Sequence, residues 1–169
     1  MRKFFHVLPV LLLAACTTAA NNPLQLVASP ASMIAATPQP SYPGEATKVF
    51  TQTDAQRLLH NKGLTLQWLD WNIRGKATVS ARDGLWQLRG AQSQPDGRGR
   101  LFLDGAILEI GQGYFTFRGT IRISETPDCD RICEQNKTWH FAVTQNRPYY
   151  RLREFEWCDD LTDYIDIYF

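Results

Sequence analysis

The sequence predicts a mostly β fold: one antiparallel domain, either a small barrel or a two-sheet sandwich of roughly eight to nine strands, with one short N-terminal helix. Three observations predict it. From Leu64 onward, apolar residues recur at every second position over most of the chain. Asp–Gly pairs at 83–84, 96–97 and 104–105 punctuate the apolar runs as hairpin turns do. One segment alone, Thr53–Gly63, has apolar residues at helical spacing between a cap and a stop. The domain so defined, residues 50–169, is long enough to bury a core and short enough to be a single unit.

The elements follow in order. In Thr53–Gly63, Thr53 caps the first turn, Leu58 and Leu59 face inward, and Gly63 stops the helix. Leu64, Leu66 and Trp68 then share one face, while Trp71 and Ile73 take the other parity, which predicts a bulge near Asp70. The Asp–Gly pairs divide residues 76–110 into a meander of four short strands. In Tyr114–Ser124, Phe115, Phe117, Gly119, Ile121 and Ile123 alternate with Tyr114, Thr116, Arg118, Thr120 and Arg122, so one face is core and the other is wet. The next strand points Trp139, Phe141 and Val143 inward and His140 outward. After a turn around Asn146–Pro148, Tyr150 and Leu152 return inward, and Arg151 and Arg153 point out. Ile165, Ile167 and Phe169 close the chain in phase.

The N-terminal residues carry different chemistry. Arg2 and Lys3, an apolar stretch from Phe4 to Leu13 and two alanines form the three-part layout of a secretory signal over residues 1–15. The stretch is too short to cross about 30 Å of hydrocarbon as a helix. Leu13, Ala14, Ala15 and Cys16 resemble the lipobox of bacterial lipoproteins. The resemblance implies cleavage before Cys16, a diacylglyceryl thioether on its sulfur and an acyl chain on the new amino terminus, which together anchor a protein stably. With Thr17 where inner-membrane lipoproteins tend to carry aspartate, it also implies the outer membrane of the cell envelope, with the domain facing periplasm or cell surface. Residues 16–48, rich in Ala, Thr, Ser, Pro and Asn, cannot bury enough apolar surface to offset chain entropy. They read as a tether with a reach of roughly 30 Å.

The chain carries 18 basic and 17 acidic side chains; loss of Arg2 and Lys3 leaves 16 against 17, a net charge near −1. That balance excludes a general electrostatic grip on nucleic acid. With Cys16 assigned to lipid, Cys129, Cys133 and Cys158 form an odd set for an exported protein, leaving one unpaired or bridging chains. Inward residues 139, 141 and 143 facing 150, 152 and 154 place position 158 opposite 133 or 135. This register favours a Cys133–Cys158 disulfide, with Cys129–Cys158 the next pairing and the fate of Cys129 open.

Candidate chemistry is sparse. Cys129, Cys133 and His140 could be imagined as zinc ligands, but a disulfide is the more natural use of the sulfurs in an oxidising compartment, and no metal or cofactor is assigned. Asp159, Asp160, Asp163 and Asp166 lack the spacing of a calcium loop and read as a solvated turn. Asp70, flanked by Trp68 and Trp71, is the one carboxylate that suggests glycoside hydrolysis, yet that chemistry needs two and no second is identified. No nucleophile elbow, phosphate loop or zinc-helix motif occurs, so no catalytic residue is assigned.

The outward set Arg118, Arg122, His140, Arg151 and Arg153, with Tyr114 and Tyr149, would form one basic, aromatic-edged face if its three strands are neighbours. Such a face suits phosphate or carboxylate groups of an anionic glycolipid or an envelope partner protein. The competing reading pairs these arginines across strands with Glu154, Glu156 or the terminal aspartates. The expectation for function is a membrane-anchored binding or accessory module of the envelope, with a hydrolase acting on cell-wall or surface glycan as the enzyme alternative. Replacing Cys16 by Ser is expected to abolish acyl labelling and release the protein from membranes. A Cys16→Ser protein that still carries label would remove the lipobox assignment.

Overall fold

Alternation at this density bends into a sheet whose first and last strands meet. The computed structural model describes residues 45–169; residues 1–15, Cys16 and most of the tether lie outside the described residues. The strands are β1 (Lys48–Val49), β2 (Leu64–Leu66), β3 (Lys76–Arg82), β4 (Leu85–Ser93), β5 (Arg100–Gly111), β6 (Tyr114–Ser124), β7 (Ile132–Ala142), β8 (Tyr149–Leu152) and β9 (Ile165–Tyr168), with α1 (Gln52–Leu59) between β1 and β2. They form one sheet in the order β2-β9-β8-β7-β6-β5-β4-β3, antiparallel throughout, and β1 pairs in parallel with β5 beyond Ile107, where β4 stops. Leu64 and Gly75 exchange two backbone hydrogen bonds of 2.9 and 3.0 Å, joining β2 to the residue before β3. The architecture is therefore a nearly closed barrel, which decides between the two forms the sequence allowed.

Beyond Leu64 the backbone ladder of this seam stops, and the buried side chain of Gln92 takes over. Its Oε1 accepts the Leu66 N–H at 2.7 Å, and its Nε2 donates to the carbonyls of Asp70 and Ile73 at 2.9 Å each. Residues 67–74 leave the sheet here, so the bulge predicted near Asp70 is replaced by an excursion that exposes Trp71 and Ile73. The bulge falls instead in β5, between Ile107 and Glu109.

Of two further Asp–Gly turns predicted, one holds and one changes. Asp83–Gly84 is a two-residue hairpin turn with φ of 52° and 77°, as its sequence demands. Asp104–Gly105 is not a turn but lies inside β5, so three strands and not four span residues 76–110. Gly105 faces Gly119 of β6, and a Cβ on either would come within 2.3 Å of a backbone carbonyl oxygen on the opposite strand. The Phe117 ring lies over this bare pair. The helix starts one turn cap earlier than predicted: Thr51, not Thr53, accepts the Asp54 N–H at 3.2 Å, and its hydroxyl donates to the Asp54 carboxylate at 2.8 Å.

The interior is filled by side chains. Phe115 stacks on Phe141 at 4.8 Å, Tyr150 meets Phe115 edge-on at 5.4 Å, and Trp139 meets Trp157 edge-on at 5.2 Å. Helix α1 adds Ala55 and Leu58 to this core and buries Asp54, whose carboxylate accepts the Tyr150 hydroxyl. Burial alone pushes the Asp54 carboxyl up, but hydrogen bonds from Tyr150, Thr51, the Gly113 backbone and Arg57 outweigh it and hold the group below its ordinary value.

After Leu152 the wall beside β7 is held mostly by side chains. Arg153 still donates its N–H to the His140 carbonyl, but the His140 N–H goes to the Glu154 carboxylate, and Gln135 donates to the Trp157 carbonyl. A Cys133–Cys158 disulfide with a Cα separation of 6.0 Å follows; position 158 lies one diagonal step from the residue the Phe141–Leu152 register would put opposite Cys133. Next to it, Arg131 donates to both oxygens of Asp159, to both oxygens of Asp163 and to the Thr126 carbonyl, at 2.8 to 3.1 Å. The Trp68 indole donates to the same Asp163, and the Thr126 hydroxyl donates to the Trp68 carbonyl. Asp163 and Asp166 are fully buried, which corrects the reading of the terminal aspartates as a solvated turn; only Asp159 and Asp160 are exposed. The arginines opposite explain the difference, because both buried carboxylates have a guanidinium partner.

Two outcomes follow for stability. Arg131→Met leaves the Asp163 charge buried and unpaired, so urea unfolding is expected to show a loss of about 3–5 kcal/mol; a change below 1 kcal/mol would show that Asp163 is not held by Arg131. Because the folded-state pKa of Asp54 is lowered, its contribution is present above the unfolded value of 3.8 and is lost as pH falls through the folded value. Tyr150→Phe removes one of the bonds that lower it. Between about pH 2 and 5, stability is then expected to depend less steeply on pH than in the parent chain. An unchanged slope in acid-unfolding curves would remove Asp54 from the acid response.

Candidate functional site

Strand pairing brings the five outward residues singled out in the sequence onto neighbouring strands but assigns most of them to internal partners. Arg118 donates to the Asn136 side chain at 2.8 Å. Arg122 pairs with Glu134 across β6 and β7 at 3.4 Å, both about half exposed. The His140 ring is bonded to Glu154, whose carboxyl is pushed up by burial but brought below its ordinary value by the backbone N–H and ring of His140. Arg151 is largely buried: its guanidinium makes two 2.7 Å bonds to Asp166 and lies 4.2 Å from the Tyr164 ring centre and 5.2 Å from that of Tyr149. The Asp166 bond raises the Arg151 pKa against the opposing effect of burial. Of the anion-binding face expected over Arg118, Arg122, His140 and Arg151, carboxylates pair with Arg122, His140 and Arg151, while Arg118 keeps its charge beside the neutral Asn136.

Three guanidiniums gather along β8 and on either side of it. The turn before β8 and the segment after it border a groove of about 340 Å³, into which Arg147, Arg151 and Arg153 converge, with Thr144, Phe155 and Tyr164 among its walls. Arg147 donates to the Tyr149 hydroxyl at 2.9 Å. Arg153 lies 5.9 Å from the Phe155 ring centre, and Phe155 meets Tyr164 edge-on at 5.4 Å. Three guanidiniums thus face the groove, and of the three only that of Arg151 forms an ion pair with a described carboxylate. Fork-shaped donors beside aromatic walls recognise phosphate or carboxylate oxygens and can stack against a ring or sugar face.

Sequence alternation located Arg151 and Arg153 but not Arg147, Phe155 or Tyr164. Those three sit in turns and irregular segments, where period-2 reasoning has no purchase. The Pro148 after Arg147 marks a turn and nothing more. Asp70 does not form a sugar site with its flanking tryptophans: its carboxylate accepts the Asn72 N–H at 2.7 Å in a local turn, and the Trp68 indole is bound to Asp163. The sulfurs imagined as metal ligands are both used in disulfides, Cys133 with Cys158 and the exposed Cys129 in another, so no free cysteine is left among the described residues and the expected odd cysteine is not found.

Comparison with known proteins adds kinship. The chain is 32% identical over 115 residues to the uncharacterised protein PM1083 of Pasteurella multocida (strain Pm70), a match that covers 67% of this chain and 74% of that protein. No solved structure matches it. The model of the PM1083 family matches residues 46–169, the whole barrel from the residue before Thr47 onward, and the chain belongs to that family.

Proposed function

We propose that this is a lipid-anchored envelope protein whose barrel presents the arginine groove to an anionic component of the envelope, a phosphorylated or carboxylated glycolipid or an acidic surface of a partner protein. The observation that carries the proposal is the surplus of guanidinium charge in one aromatic-walled groove: Arg153 has no carboxylate partner among the described residues, Arg147 forms no ion pair and acts on Asp166 only through its charge at longer range, and Arg151 is fixed between Asp166, Tyr149 and Tyr164. A preset cation costs little side-chain entropy on binding. The tether and lipid expected from the first residues would hold that groove near a membrane face. The lining supplies guanidiniums, aromatic rings and the hydroxyls of Thr144 and Tyr164, groups that suit binding of an anionic group.

The roles within the groove separate by burial. Reversing Arg147 and Arg153 to Glu is expected to weaken binding of purified lipopolysaccharide at least tenfold, with a strong salt dependence, and to leave the thermal midpoint within a few degrees. Arg151→Ala is expected to destabilise by about 3–5 kcal/mol, because it strands the buried Asp166 charge. Unaltered lipopolysaccharide binding in the double reversal, with no change in the set of envelope proteins that co-purify in detergent, would place the function elsewhere.

A further inference from the structure

A second groove lies on the other side of the barrel and has a different cause. Strand β3 begins only at Lys76, so Gln92 and Ser93 of β4 have no β3 partner, and the chain before Gly75 stands off from β4 at the distance set by the Gln92 side chain. The resulting trench has a volume of about 500 Å³, within the range of small-molecule sites. Ile73 and Phe102 form its apolar walls, with Ala91 between them, and Arg74 and Arg100 flank it. Ile73 is 49% exposed and Phe102 39% exposed, so the apolar lining of the groove is in water.

Neither arginine is spent on a carboxylate among the described residues. Arg74 lies 4.0 Å over the Tyr168 ring, and Arg100 donates to the Gly97 carbonyl at 3.2 and 3.3 Å. Both contacts orient the guanidinium without cancelling its charge. A purely apolar ligand would cover the trench and leave these cations without a counter-charge; a simple anion would satisfy them and leave Ile73 and Phe102 in water. We infer that the trench binds a single-chain acidic amphiphile, its hydrocarbon tail between Ile73 and Phe102 and its phosphate or carboxylate head on Arg74 and Arg100. The concave shape favours one chain over a bilayer, which would touch only the rim. This site is separate from the arginine groove and does not depend on it.

The test is a titration of the full chain carrying Cys16→Ser, so that no lipid of its own competes, followed by backbone NMR. The probes are dodecyl phosphate below its micelle concentration, dodecanol, inorganic phosphate and vesicles of phosphatidylglycerol. Dodecyl phosphate is expected to shift the amides of Ile73, Ala91 and Phe102, and to bind at least tenfold more tightly than dodecanol or inorganic phosphate. The double variant Arg74→Gln, Arg100→Gln is expected to erase its advantage over dodecanol and leave dodecanol binding unchanged, while Phe102→Ser weakens both. Absence of binding, equal affinity for the alcohol and the phosphate, shifts confined to Thr144–Arg153, or binding to vesicles alone would each overturn the assignment.

Discussion

Arg131 brings a full positive charge into the barrel wall, and its five guanidinium bonds go to two carboxylates and a carbonyl. A cation taken out of water costs several kcal/mol unless its donors are met, and here Nε, Nη1 and Nη2 all are. Burial lowers the pKa of this arginine, and the hydrogen bonds of Asp159 and Asp163 raise it well past recovery, so it stays charged. Three stretches that lack ladder partners converge on it: residues 67–74 through the Trp68 bond to Asp163, residues 125–131 through Thr126, and residues 153–163 through Asp159 and Asp163. The Cys133–Cys158 disulfide begins two residues later and closes a loop of 25 positions, which by chain entropy is worth about 3.5 kcal/mol. Crosslink and ion cluster thus brace the same gap.

The same economy recurs wherever the sheet fails to continue. Buried backbone N–H and C=O groups need partners, and where no strand supplies them a side chain does. Gln92 bridges the seam beside β2, Glu154 receives the His140 N–H, and Gln135 reaches the Trp157 carbonyl. Each substitution holds a chain segment off the sheet at a set distance, and the two grooves described above border such segments. The irregular parts of the wall are where the surface becomes concave, so the features that interrupt the fold also shape its recognition surfaces.

Much of the wall was legible in the sequence because alternation survives in any strand that is apolar on one face only. Tyr114–Ser124 and the apolar positions of β7, β8 and β9 were read from that period, and the arithmetic of the β7–β8 hairpin was enough to pair Cys133 with Cys158. Asp104–Gly105 misled because composition cannot distinguish a glycine that turns from one that lets two strands touch. Leu66 and Trp68 gave no warning that the chain would leave the sheet between them, since the partner that replaces the ladder, Gln92, is 26 positions away from Leu66. The buried aspartates were hidden by their own chemistry: a carboxylate looks solvated until its arginine is known. The groove residues from turns, Arg147 and Phe155 among them, had no pattern to betray them.

The seam between β2 and β9 also sets an order of events during assembly. Strands β3 to β7 each pair with the strand that follows, across connections short enough to close early, whereas β2 meets β9 over a span such as the 103 positions between Thr65 and Tyr168. Loop-closure entropy is met first where the loop is short, so the meander can form as a curved, open sheet before its edges are joined. Closure also brings the other edge of β2 against β4, where Gly90 leaves room for Leu64; a Cβ there would lie 2.4 Å from the Leu64 methyl. Among the last interactions to form are therefore those that fix the 67–74 excursion and the trench beside it, and native-state hydrogen exchange should find its fastest-opening barrel amides along that seam.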